Sequence, residues 1–395
     1  MTSVRSGEHP AYKEVVRPRR GILPAAVTVC VTGATGFIGA HVARLELKRG
    51  SVVRVTYRNE SRLGRLGDLE VEPVRADVLD RAAMRRAVRG CSVVFHAAGY
   101  VGAHPRRRVW EVNALSPRIV VEAAAAEDVG RVVLTSSVAS IGPVPPGEVG
   151  DEEELYRGGG LGMTYADAKH EGEAQAFAAA ARLGVELVVV NPSYVFGPPV
   201  DRSQPGETST RAIGNYLRGR LPAVVDGAVN VVDVRDVASG HLKAAERGKP
   251  GERYILGGHD LTWVDLFEHV ARLADVHHPL VVLPTEMAAA ADLAESLHVP
   301  MPVSAEGLVL MAQNWRYSSR KARSQLGYRT RSLEKTLGDT VAWYQELLGS
   351  GTLGAGRPSP LSLAAAGLRV AERTGVLGGV RVAERYLGRR LLVDS

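Results

Sequence analysis

The chain has 395 residues, 45% apolar and 23% charged, a composition that fits a soluble globular protein with a sizeable core and excludes a fibrous or low-complexity chain. Its net charge of +6 sits at the ends: residues 1 to 26 carry +3 and residues 349 to 395 carry +4, so the body is nearly neutral, which speaks against a nucleic-acid-binding fold. The two cysteines, Cys30 and Cys91, lie in apolar runs and argue for a reduced, cytoplasmic setting; no apolar run reaches the ~18 to 20 residues that span a bilayer, and no signal-peptide pattern opens the chain.

Residues 1 to 24 are polar, basic and Pro-bearing, and read as a flexible arm. From Ala25 short β-branched runs alternate with longer helical patterns. AAVTVCVT reads as a buried strand, and IGAHVARLELKRG follows as a helix closing on Gly50. SVVRVTYR and VEPVRAD supply the next strands, and DRAAMRRAVRG is a helix leading to CSVVFHAAG. A helix through WEVNALSPRIVVEAAAAEDVG precedes RVVLTSS, and the long helix of TYADAKHEGEAQ precedes VELVVVNPS. Apolar strands alternating with helices predict a doubly wound α/β fold of the Rossmann type over residues 25 to 192. Residues 193 to 348 read as a smaller substrate-binding lobe that returns some strands to the main sheet. Within it GPPVDRSQPGETST is a loop, while AVNVVDVRDVASGHLKAAERG and LTWVDLFEHVARLADV supply a strand and helices. Beyond a Gly/Pro-rich break, residues 349 to 395 read as basic amphipathic helices in which RVAER occurs twice. Packing on the body, contact with a second subunit and contact with an anionic membrane surface are all open for that extension.

Gly33, Gly36 and Gly39 in TGATGFIG follow the first strand and open a helix, with Thr35, Phe37 and Ile38 between them. Glycines at this spacing permit a tight turn and bring backbone N–H groups to a pyrophosphate at the positive end of a helix. The second strand ends in VTYRNESR, so Arg58 and Arg62 stand where an acidic residue would favour NAD; a basic residue accepts the 2′-phosphate of NADP(H). Asp77 and Val78 of RADV fall near the adenine, and Ala97, Ala98 and Gly99 of FHAAG let the backbone pass close to the ligand. His277 and His278 lack convergent partners and read as solvated, so no metal site is expected.

Tyr165 and Lys169 stand one turn apart on a helix face. Chance alone would place a Tyr-x-x-x-Lys in this chain about 0.2 times, but with 42 arginines against 7 lysines a lysine kept here is less like generic surface charge.

TGATGFIG, RADV, HAAG, LTSS, Tyr165-x-x-x-Lys169 and NPSYVFGP occur in the order of the extended short-chain dehydrogenase/reductases, and the chain resembles that family over about residues 27 to 348. NPSYVFGP, NVVDVRDVASGHL, GERYILGG and YSSRKARSQLGY look most like its dihydroflavonol 4-reductase-like branch, which includes the hopanoid-associated sugar epimerases. The resemblance implies that Tyr165 is the general acid/base. A free tyrosine titrates near 10, so work near neutrality requires stabilisation of phenolate, which the charge of Lys169 would supply while also holding the nicotinamide ribose. It further implies that Ser137, rather than Ser136, holds the substrate oxygen. Asn113 matches a helix asparagine of the family, and Asn191, Pro192, Ser193 and Val195 should border the nicotinamide. Residues 100 to 110 and 201 to 216 should line the substrate pocket.

The expected function is an NADP(H)-dependent oxidoreductase acting on a ketone or secondary alcohol of a small or medium-sized molecule, terpenoid or polyketide-like in character. Two alternatives stand beside it: a nucleotide-sugar epimerase or dehydratase with tightly bound NAD(H), and a non-catalytic cofactor-sensing scaffold. The resemblance also implies a homodimer paired through the Tyr165 helix.

Overall fold

The computed structural model describes residues 27–102, 104–206, 209–286, 305–353, 360–387 and 390–393; the arm expected over residues 1 to 24 lies outside them. Strands β1 (Thr28–Thr32), β2 (Val52–Tyr57), β3 (Glu72–Arg75), β4 (Val93–His96), β5 (Arg131–Thr135) and β6 (Glu186–Pro192) form a parallel sheet in the order 3-2-1-4-5-6. The chain direction across the sheet reverses between β1 and β4, and a ligand crevice opens at the carboxyl edge of such a point. The central strands read as continuous apolar runs because both faces are covered. Val29 and Val31 of β1 face one layer, and Cys30 between them faces the other.

Helix α1 (Phe37–Lys48) packs on the first face. Helices α2 (Arg81–Val88), α4 (Ser116–Ala126) and α5 (Thr164–Leu183) cover the second, with a short α3 (Arg106–Trp110) leading into α4. The 20-residue α5 ends at Gly184, which takes the left-handed conformation (φ 72°) that a helix C-terminus favours in glycine.

After β7 (Tyr194–Phe196) and α6 (Arg211–Leu217), β8 (Ala223–Val225) and β9 (Ala228–Asp233) build the smaller lobe. Helix α7 (Val234–Arg247) departs from the sequence expectation. Read as part of the lobe, it packs beside α1 on the main sheet, where Val234, Val237, Ala238 and Leu242 are buried among β1 and β6 residues. Its apolar stripe could have met either layer, and only the tertiary packing selects the large sheet. Strand β10 (Arg253–Leu256) follows and adds a seventh parallel strand beside β6.

The lobe is completed by β11 (His259–Thr262) and α8 (Trp263–Ala274), the latter opened by a reciprocal capping box between Thr262 and Asp265. Then come β12 (Val281–Leu283), α9 (Ala305–Ala312), β13 (Asn314–Trp315) and α10 (Leu333–Gly349). β9 pairs with β7, β11 and β13, and β8 pairs with β12. The lobe core gathers Phe196, Ile213, Tyr216, Trp263, Phe267, Leu337 and Trp343.

Helices α11 (Pro360–Arg373) and α12 (Val376–Leu387) follow in the C-terminal extension, whose described residues pack on the lobe. Arg369 donates to Gly219 O, Leu392 bridges to Val281, and Val393 joins the lobe core. Among the described residues no helix is long and apolar enough to cross a membrane.

Candidate active site

Gly33 leaves β1 with φ +69°, and a Cβ there would lie 2.5 Å from Ala98 N, so only glycine fits where β1 and β4 run side by side. Gly39 is equally confined, 2.4 Å from Gly33 O by the same measure. Gly36 differs: its nearest such neighbour is Gly33 O at 3.1 Å, and the remaining space is open. It caps α1 with no side-chain cap and no acidic residue in the first turn, so Phe37 and Ile38 bring backbone donors to the positive end of a twelve-residue helix. This cradle suits an anionic diphosphate.

Arg58 follows β2, and Asp77 lies just beyond β3. Asp77 is held from both sides, by Arg58 at 3.8 Å and Arg108 at 3.3 Å, while its other oxygen accepts from Leu79 N at 3.0 Å. A carboxylate neutralised in this way repels a phosphate less than a free one would. Val78 turns into the core.

The loop of Ala97, Ala98 and Gly99 is fixed by a relay that the sequence did not reveal. Ala98 N–H donates to Thr32 Oγ1 at 3.3 Å, and Thr32 meets His96 Nδ1 at 2.7 Å. His96 Nε2 meets Ser116 Oγ at 3.0 Å, and Ser116 donates to Val112 O at 2.5 Å. Because that last proton is committed to a carbonyl, His96 must donate from Nε2 and accept at Nδ1. Burial, then the nearby Lys169 charge, pulls the imidazole pKa down to about 3, so it stays neutral. A Cβ on Gly99 would stand 3.2 Å from Asn113 Oδ1 and 3.4 Å from Lys169 Nζ. Asn113 is 2% exposed, sits in a π-helical turn, donates to Tyr100 O and Val109 O, and accepts from Tyr100 N.

The three hydroxyls after β5 separate by partner. Thr135 Oγ1 meets His241 Nε2 at 2.7 Å, and Ser136 Oγ donates to the buried Ser140 Oγ at 3.1 Å. The Ser137 hydroxyl accepts from Ala139 N at 3.1 Å and is the one that acts on the Tyr165 phenol, drawing its pKa down. Lys169 Nζ lies 6.0 Å from the Tyr165 ring centre and donates to Thr135 O at 3.1 Å. The structure therefore brings Ser137, Tyr165 and Lys169 together at the carboxyl edge of β5.

The electrostatics differ from the sequence expectation. Burial pushes the Tyr165 phenol up to about 12, and the influence that lowers it is the Ser137 hydroxyl rather than the lysine. Burial also draws Lys169 down to about 8, opposed by Glu173. The protein alone thus desolvates both groups, and a desolvated ammonium and phenol respond strongly to any charge placed beside them.

Glu173 continues the Tyr165 and Lys169 spacing by one more turn and was missed. At 5% exposure it accepts from Ser140 Oγ at 2.7 Å, Asn191 Nδ2 at 3.0 Å and Arg253 at 3.2 Å. Ser140 and Asn191 both also donate to Ser137 O, so the carboxylate anchors the turn that presents Ser137. Asn191 is thereby committed to that turn. Ser193 Oγ, one residue past β6, is buried without a hydrogen-bond partner among the described residues, and Val195 packs in the core. Tyr194, on the same strand, is also raised to about 12 by burial and lies near Tyr165.

Of the other expected pocket segments, residues 106–110 form α3, and α6 buries Ile213 and Tyr216 in the lobe core. His277 is exposed, and His278 packs edge-on against Tyr216 at 5.6 Å.

A seven-stranded parallel sheet, a glycine turn at its reversal point and a Ser–Tyr–Lys cluster at its carboxyl edge define a Rossmann-type oxidoreductase. The chain belongs to the NAD dependent epimerase/dehydratase family, whose model matches residues 29–257. It is 33% identical over 331 residues to a Synechocystis protein provisionally named dihydroflavonol 4-reductase, covering 80% of this chain and 94% of that one. It is 30% identical to sterol demethylase protein B of Methylococcus capsulatus, over 81% of this chain and 99% of that protein. Among solved structures, a nucleoside-diphosphate-sugar epimerase from Pseudomonas aeruginosa superposes with a TM-score of 0.68 at 31% identity, covering 82% of this chain and 98% of that one.

Proposed function

We propose that the chain is an NADP(H)-dependent oxidoreductase that transfers hydride to or from a ketone or secondary alcohol, with Tyr165 as the acid/base. The observation that carries this reading is Lys169 Nζ 6.0 Å from the Tyr165 ring and bonded to Thr135 O at the end of β5, two residues before Ser137, with Gly99 leaving room beside it. Gly36 and the first turn of α1 would hold the diphosphate, and Arg58 and Arg62 the 2′-phosphate. Asp77 and Val78 would border the adenine, Ala97, Ala98 and Gly99 the dinucleotide backbone, and Pro192, Ser193 and Val195 the nicotinamide. When bound, the nicotinamide supplies or accepts the hydride. Ser137 holds the substrate oxygen, Tyr165 gives it or takes from it a proton, and Lys169 holds the ribose and favours phenolate.

The cluster beside Tyr165 is apolar, with Val138, Ile141, Met163, Val309 and Leu310. This cluster, together with a relative named for a sterol, supports a substrate that is largely hydrocarbon in character. A second reading, a nucleotide-sugar epimerase with retained NAD, draws on a cavity of about 250 Å³ lined by Arg211, Arg218, Asn215 and Tyr344, whose cations suit a diphosphate. Purification decides between them: exchangeable NADPH binding with weak NADH binding supports the reductase, and NAD that survives purification removes it.

The same proposal includes a cytoplasmic setting, which suits the free Cys30 and Cys91, and pairing of two copies through α4 and α5. Light scattering that returns a single-chain mass removes the dimer. The outer side of the C-terminal hairpin, where Leu363, Val370 and Val376 are exposed, is the candidate surface for peripheral membrane contact, tested by co-sedimentation with anionic vesicles.

A further inference from the structure

Helix α9 brings a carboxylate from the smaller lobe to the start of the Tyr165 helix. Glu306 Oε1 accepts the Tyr165 backbone N–H at 3.2 Å, which ties the two elements together across the cleft. The other oxygen, Oε2, is buried and has no hydrogen-bond partner among the described residues. On one side Val309 and Leu310 of the same helix pack with Tyr165, Ile141 and Met163. Burial pushes the carboxyl upward and Asp167 adds to this, whereas the Tyr165 N–H, Arg106 and His104 pull it down.

A buried carboxylate oxygen left without a donor is costly, and a helix cap needs only one of the two oxygens. Capping therefore accounts for Oε1 and leaves Oε2 unexplained. Its position is informative, because it lies beside the backbone of the residue whose phenol meets the reacting oxygen. The residue that carries the phenol is therefore the same one whose backbone meets Glu306.

We propose that Glu306 is a specificity-determining residue whose Oε2 accepts a hydrogen bond from a hydroxyl of the substrate. The inference rests on the reductase reading and narrows it: the substrate is a hydroxylated, otherwise apolar ketone or its alcohol. A purely hydrocarbon ketone would leave the carboxylate oxygen buried and unpaired, so the site selects against it.

The test uses the full chain with NADPH and three matched probes: 1-decalone, 5-hydroxy-1-decalone and 5-methoxy-1-decalone. The readout is the ratio of kcat/KM values within each variant, which a general loss of rate or stability does not move. Wild type should favour the hydroxylated ketone over both others by about tenfold or more. Glu306→Leu should bring the three within about twofold, and Glu306→Gln, whose single oxygen serves the cap and whose NH2 then faces the ligand as a donor, should lose the preference for the hydroxy over the methoxy probe. Equal ratios in wild type and Glu306→Leu overturn the inference while leaving the reductase reading intact. A methoxy probe as good as the hydroxy probe also overturns it, because that ligand cannot donate. If wild type consumes NADPH with none of the probes, the reductase reading fails and the inference with it.

Discussion

Replacing Lys169 with methionine should stabilise the cofactor-free protein while abolishing its chemistry. Lys169 is 9% exposed, and its ammonium makes a hydrogen bond to Thr135 O at 3.1 Å. Burial lowers its pKa from 10.5 to about 8, with Glu173 opposing. That fall corresponds to about 3 kcal/mol against folding in the charged form. The unfolded chain holds its proton up to about pH 10.5 and the folded chain only up to about pH 8. Between those values the unfolded state binds more protons, so stability rises with pH, and below about pH 8 the whole penalty is present. Methionine removes the penalty and loses the bond to Thr135, worth about 1 kcal/mol, for a net gain of about 2 kcal/mol at pH 7. Urea unfolding of both proteins without cofactor, at pH 7 and pH 10, measures this directly. The variant should lead at pH 7 and the margin should narrow by pH 10. A Lys169→Met protein less stable than wild type at pH 7 refutes the reasoning, since the ammonium would then be a net stabiliser through Thr135 and Glu173.

Tyr165→Phe should lower turnover by about 10² to 10⁴ with NADPH binding retained, as measured by steady-state rates and fluorescence titration. Arg58→Ala should weaken NADPH by about tenfold and leave NADH unaltered; equal weakening of both would assign Arg58 a role outside 2′-phosphate recognition. Glu173→Ala strips Ser140, Asn191 and Arg253 of a shared acceptor and should cost about 3 kcal/mol in urea unfolding, toward the low end for a broken buried pair because Arg253 keeps 29% exposure.

The parts of the site that were legible in the sequence are those whose signal is local. TGATGFIG joins a strand to a helix within eight residues, and its glycines answer to contacts that any such turn must make. Tyr165 and Lys169 share one helix face, so their spacing alone brings them together, and the LTSS run places three hydroxyls at the end of β5. Choosing Ser137 among them took the resemblance; in the structure Thr135 meets His241 and Ser136 donates to Ser140. Glu173 was also within reach, because it repeats the four-residue step. What periodicity could not show are meetings between distant segments. Arg253 reaches Glu173 from a strand 80 residues away, and Glu306 reaches Tyr165 from 141 residues away. The pKa direction at Tyr165 is of the same kind: local spacing suggested activation by a lysine, whereas the burial that raises it comes from elements scattered along the chain.

The return of α7 and β10 to the large sheet determines how the molecule could be recombined. The cofactor-binding layer is not a contiguous half, because its seventh strand and one of its covering helices come after β7, β8 and β9 of the lobe. A single cut near residue 192 would leave β6 as a bare apolar edge and strip Arg253 from Glu173. A chimera that takes its substrate lobe from a relative must therefore keep residues 234 to 257 with the host and exchange the segments on either side of them as a pair.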